Sequence, residues 1–124
     1  MAKRILLIED NEDIALVVRA TLKLRDYQVL TANDGLKGLE IALSTPVDLI
    51  ILDVLLPELD GYQVLKKLKS SAQTAHVPVA LFSAHMGEQE RREALQAGAV
   101  AVLIKPFEPR QFINEVGALL SEDG

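Results

Sequence analysis

Three carboxylates, one hydroxyl and one ammonium stand out in this chain because each closes or directly follows an apolar run. Glu9 and Asp10 follow residues 5–8, Asp53 ends the run at 48–52, Ser83 follows 77–82, and Lys105 ends 100–104. Three carboxylates gathered in one crevice repel each other unless a cation sits among them. Oxygen-only ligands favour Mg²⁺, which keeps several waters and needs few protein groups. A lysine and a hydroxyl on the far side suit an anion with several oxygens, such as phosphoryl. The set then reads as nucleophile, metal site, ammonium and hydroxyl, the parts that phosphoryl transfer uses. An aspartate nucleophile gives an acyl phosphate, a reactive and short-lived species suited to signalling.

Such chemistry needs elements that bring distant residues together. The four runs at 5–8, 48–52, 77–82 and 100–104 are short, apolar and rich in Val, Ile or Leu, without strict alternation. That is the pattern of strands covered on both faces. A fifth run at 27–31 is more polar, as an edge strand would be. Between the runs lie helical patterns. Ile14, Val17, Val18, Thr21 and Leu22 share one helix face, with Arg19 and Lys23 on the other. Leu36, Leu39 and Leu43 mark a second helix with Asp34 as its N-cap, and Asp60 caps a third that buries Leu65 and Leu68. A fourth, polar helix at 88–96 stops at Gly98. Phe112, Ile113, Val116, Leu119 and Leu120 line the fifth.

Five β-α repeats predict one α/β domain, a doubly wound (βα)5 parallel sheet with helices on both faces. In a flavodoxin-like order of 2-1-3-4-5, strands one and three are neighbours about 5 Å apart, and ligands bind at the C-terminal edge. Glu9, Asp10, Asp53, Ser83 and Lys105 all fall at that edge. The domain is expected to span 1–121, with 122–124 as a tail.

Composition narrows the function. The formal net charge of -5, from 13 Lys plus Arg against 18 Asp plus Glu, speaks against direct nucleic-acid binding. The absence of cysteine removes disulfides, thiolate catalysis and Cys-based zinc sites. The apolar run after Lys3 and Arg4 is too short for a signal peptide or a membrane span, so a cytoplasmic protein is expected. No Gly-rich loop follows the first strand, which argues against a Rossmann or P-loop nucleotide site.

The motifs Ile-Glu-Asp-Asn-Glu (8–12), Asp-Val-Leu-Leu-Pro-Glu-Leu-Asp-Gly (53–61), Phe-Ser-Ala (82–84), Ala-Gly-Ala (97–99) and Lys-Pro-Phe (105–107) resemble the receiver domains of two-component response regulators. The resemblance runs from residue 3 to about 120. It implies that Asp53 is the phosphoacceptor, and that Asp10, Glu9, Asp53 and the backbone carbonyl of Leu55 hold Mg²⁺. It also implies that Ser83 is the switch hydroxyl, that Lys105 pairs with a phosphoryl oxygen, and that the Lys105–Pro106 bond is cis. Such a domain is not a conventional enzyme but catalyses its own phosphorylation and dephosphorylation. The implied partners are a sensor histidine kinase or histidine phosphotransfer protein and a downstream target or fused output domain. A homodimer through the fourth helix, fifth strand and fifth helix also follows from the resemblance. The chain departs from the family pattern in three places. Its acidic pair is Glu-Asp rather than Asp-Asp, and Val102 stands where an aromatic is usual. Leu55 and His85 occupy positions that tune dephosphorylation, and an apolar Leu55 cannot orient a hydrolytic water.

Blander readings compete with each residue. Glu9 and Asp10 could cap the first helix, Ser83 could start a turn, and Lys105 could mark a strand end reaching solvent. Asp53 has no such easy account, because a buried unpaired carboxylate is costly. His85 and His76 read as loop residues. The run at 100–104 reads as core first, and its outer end near Val102, with the faces of the fourth and fifth helices, as a partner surface. Two other functions remain open: a docking module that is never phosphorylated, and a phosphatase or phosphotransferase that uses an aspartyl phosphate. The latter would place a second Asp where Leu55 stands.

Overall fold

A computed structural model describes residues 2–84 and 87–120. His85 and the expected tail at 122–124 lie outside them. The elements alternate along the chain: β1 (Arg4–Ile8), α1 (Glu12–Lys23), β2 (Gln28–Ala32), α2 (Gly35–Ser44), β3 (Leu49–Asp53), α3 (Gly61–Lys69), β4 (Val79–Ser83), α4 (Glu88–Gln96), β5 (Ala101–Ile104) and α5 (Pro109–Leu120). All pairings are parallel, in the order β2-β1-β3-β4-β5. The expected doubly wound sheet is the one observed.

Alternation along each strand builds two cores, one per face. Leu6, Ile8, Ile50, Leu52, Val79, Leu81 and Val102 point to the face covered by α2, α3 and α4. Ile5, Leu7, Leu49, Ile51, Ala80, Phe82 and Leu103 point to α1 and α5, where Val18, Leu22, Phe112 and Val116 meet them. Burying one such side chain contributes about 1.5–3 kcal/mol, so the strand centres hold the sheet rigid up to their last residue. β2 is the exception, with Gln28 and Thr31 exposed, as suits an edge.

Caps fix where the helices begin. Asn11 Oδ1 accepts from Ile14 N at 2.9 Å. Asp34 Oδ1 accepts from Lys37 N at 2.8 Å, and Asp60 forms a capping box with Gln63.

Three expectations need correction. The buried face of α2 is Gly35, Gly38 and Ala42, while Leu36 and Leu43 are exposed. The helix approaches β1 so closely that a Cβ on Gly38 would lie 2.3 Å from Ile8 Cδ1; small residues, not leucines, make that contact. In α1 the buried residues are Val18, Thr21 and Leu22, whereas Val17 is half exposed. β4 starts at Val79 rather than Val77, because Val77 N turns back to Thr74 O at 3.0 Å and Pro78 has no N–H for the ladder.

Candidate functional site

The rigid sheet delivers its polar residues to one edge. Ile8 pairs with Leu52, Asp53 with Phe82, and Ser83 with Ile104. The residues at the ends of four strands are therefore neighbours, although they span nearly a hundred positions. Ser83 is the last residue of β4 rather than the residue after it. One carboxylate oxygen from each of Glu9, Asp10 and Asp53 lies within 4.8 Å of the others. Glu9 and Asp53 are buried and Asp10 is exposed.

Lys105 closes the group. Its Nζ lies 2.9 Å from Glu9 Oε1 and 3.2 Å from Asp53 Oδ2. Glu9 Oε1 has no well-directed hydrogen bond, so its short contact with Lys105 is best described as an ion pair. The other two oxygens are held by backbone amides: Asn11 N donates to Glu9 Oε2, and Leu55 N donates to Asp53 Oδ1, both at 3.0 Å. Each buried carboxylate thus has one oxygen fixed by the chain and one turned toward the lysine.

Burial pushes the Glu9 carboxyl above its ordinary range; the charge of Asp53 adds to this, and Lys105 and the Asn11 amide only partly offset it. For Lys105, burial works against the charge. The close contact with Glu9 and the charges of Asp53 and Glu9 outweigh it and raise its pKa. Three carboxylates against one ammonium leave residual negative charge, and the donors are all oxygens. That donor set fits a hard divalent cation.

Asn11, not Glu9 or Asp10, caps α1. Ser83 lies in the strand and is buried. The Lys105 side chain is only 15% exposed, so it does not simply reach solvent. Sequence reasoning missed the contributions of Asn11, Gly61 and Phe82. A Cβ on Gly61 would fall 2.4 Å from Asp53 O, so the Asp-Gly at 60–61 lets α3 start against the end of β3. The Phe82 ring centroid lies 4.9 Å from Lys105 Nζ; an aromatic directly before Ser83 was the available signal.

Val102 is core, as the reading of its run expects, and the expected partner surface lies beside it. Val102 is buried, among the residues facing α4. The exposed apolar groups at this edge are Leu95, Val100 and Ile104. The middle of β5, Val102 and Leu103, is buried, and only the positions two residues to either side of Val102 are uncovered. The Lys105–Pro106 bond is cis, as expected.

The model of the response regulator receiver domain matches residues 5–117. This chain belongs to that family. The receiver is 38% identical over 120 residues to the alkaline phosphatase synthesis transcriptional regulatory protein PhoP of Bacillus subtilis, covering 97% of this chain and 49% of that regulator. It spans about half or less of the length of the curated relatives it matches. Among solved structures, Vibrio cholerae chemotaxis protein CheY4 superposes with a TM-score of 0.91 at 28% identity, over 97% of this receiver and 100% of that chain. The receiver domain of sensor histidine kinase PA1611 from Pseudomonas aeruginosa gives 0.89 at 29% identity, over 98% and 100%. That structure holds a magnesium ion coordinated in its active-site cleft. No helix among the described residues of this receiver is long and apolar enough to cross a membrane.

Proposed function

We propose that this receiver accepts a phosphoryl group on Asp53 from a sensor histidine kinase or histidine phosphotransfer protein, in the presence of Mg²⁺. The observation that carries this reading is the Lys105 ammonium bridging Glu9 and Asp53 beside a third carboxylate. Glu9, Asp10, Asp53 and the Leu55 carbonyl would hold the ion. When bound, Mg²⁺ neutralises the carboxylates and the charge on the phosphoryl oxygens.

The chain's own groups do the rest. Leu55 N–H fixes Asp53 Oδ1, which orients the carboxylate for attack on phosphorus. The donor's nitrogen or oxygen leaves with the bond electrons. Lys105, kept charged by its neighbours, donates to a phosphoryl oxygen, and the Ser83 hydroxyl takes another. In dephosphorylation water attacks the phosphorus, and the Asp53 carboxylate leaves as inorganic phosphate forms. The Leu55 side chain is 76% exposed and apolar, so it contributes nothing to orient that water, and the phosphorylated receiver should turn over slowly.

A groove of about 480 Å³ runs from Lys105 between α1 and the start of α5, walled by Ile14, Val17, Pro106, Phe107 and Pro109. The groove opens at Lys105, beside Asp53, and an apolar helix face of the donor would suit it. Such docking would cover the exposed Val17. The output would be read by a downstream target, a fused output domain or a second copy at α4, β5 and α5, where Leu95, Val100 and Ile104 are uncovered.

Intact mass after incubation with Mg²⁺ and acetyl phosphate tests the reading. One added phosphoryl group in wild type, lost in Asp53→Asn and on chelation, is the expected result. A folded, Mg²⁺-saturated protein that gains nothing would point to a docking module instead.

A further inference from the structure

The Lys105 ammonium has a third neighbour besides its two carboxylates. The Phe82 ring lies with its centroid 4.9 Å from Nζ, inside the roughly 6 Å reach of a cation over an aromatic face. Phe82 pairs with Asp53 across β3 and β4, and its side chain is fully buried. Phe107 and Phe112 pack around the same ring, with centroids at 6.0 and 5.7 Å from it and 4.7 Å from each other. The ring therefore cannot turn away without repacking α5.

A lysine has a long, flexible stem, and two carboxylates attract its ammonium without fixing its direction. A ring face on another side restricts that freedom. We propose that Phe82 is a positioning residue for Lys105: its face holds the ammonium beside Asp53 and so sets the rate at which Asp53 takes up phosphoryl. The rate effect rests on the phosphoacceptor reading above, whereas the contact itself does not.

Phe82→Leu keeps an apolar side chain but removes the face. A ring-fluorinated phenylalanine at position 82 keeps the shape and drains the face of negative charge. Phe112→Leu, at the buried ring on the other side of Phe82, serves as a packing control. In metal-free wild type, the Lys105 ε-methylene protons should resonate upfield under the ring current, and Phe82→Leu should release them. With acetyl phosphate and Mg²⁺, Phe82→Leu should be phosphorylated about three- to tenfold more slowly, a range set by a partly desolvated cation–π contact. The fluorinated protein should fall between it and wild type, with Mg²⁺ affinity unchanged, and folded Phe112→Leu should run at the wild-type rate.

A fluorinated protein as fast as wild type would overturn the proposal and assign any loss in Phe82→Leu to packing. It also decides the matter if Phe82→Leu does not fold. A wild type that takes no phosphoryl would sink the phosphoacceptor reading instead, and unshifted Lys105 methylene signals would sink the contact.

Discussion

The centres of the strands and their C-terminal ends belong to the same short segments but obey opposite rules. At the centres, every side chain of β1 from Ile5 onward and of β3 up to Leu52 is apolar and fully buried. One residue further on, Glu9 and Asp53 are just as hidden, yet they are carboxylates set beside each other. The first region supplies stability. The second accepts electrostatic crowding, which a protein keeps only where function requires it. The contrast implies that mutations in the two regions should act on different quantities.

Ile51→Ala, in the middle of β3, should have the largest effect. It removes a fully buried side chain and should cost about 2–5 kcal/mol in chemical denaturation, with phosphorylation at Asp53 retained in whatever fraction stays folded. Gly61→Ala lies on the boundary between the regions. Its methyl would press on Asp53 O and Val54 Cα, at 2.4 and 2.6 Å, which are backbone atoms that cannot swing aside. The expected loss is about 1–3 kcal/mol, with a lower phosphorylation rate because the nucleophile is displaced. An unchanged rate would mean that α3 does not help to place Asp53.

At the strand ends the sign reverses. Asp10→Asn removes one of three crowded charges and should raise the metal-free melting temperature, a gain of up to about 1 kcal/mol for an exposed charge. The same variant should lose the stabilisation that added Mg²⁺ confers on wild type. Thermal melts with and without Mg²⁺ check both arms, and a destabilised metal-free variant would contradict the crowding argument. Leu55→Asn should change stability least, by less than about 0.5 kcal/mol, while shortening the phosphoryl lifetime severalfold. An unaltered lifetime would show that this position does not govern hydrolysis.

Much of the comparison could be read before any coordinates. Apolar runs ending in Glu9, Asp53, Ser83 and Lys105 placed the site, because a parallel sheet carries strand ends to a common edge whatever the loops do. The reading weakened where contact distance mattered more than hydrophobicity. Leucines in α2 marked a helix but not its buried face, since Gly38 and Ala42 win by letting the helix come close. The partner surface read near Val102 lies two residues to either side, at Val100 and Ile104, because the middle of β5 is covered on both faces. The bridge from Lys105 to Glu9 could not be foreseen from spacing, because it depends on how far two long side chains extend.

The most direct test of the account is chemical identification of the modified residue. The receiver is treated with acetyl phosphate and Mg²⁺, reduced with borohydride and digested, and the peptide containing residue 53 is sequenced by mass spectrometry. An aspartyl phosphate is reduced to homoserine, so the account predicts homoserine at position 53 only when Mg²⁺ is present. Aspartate left intact there, or homoserine at Asp10 or 5-hydroxynorvaline at Glu9 instead, would contradict it.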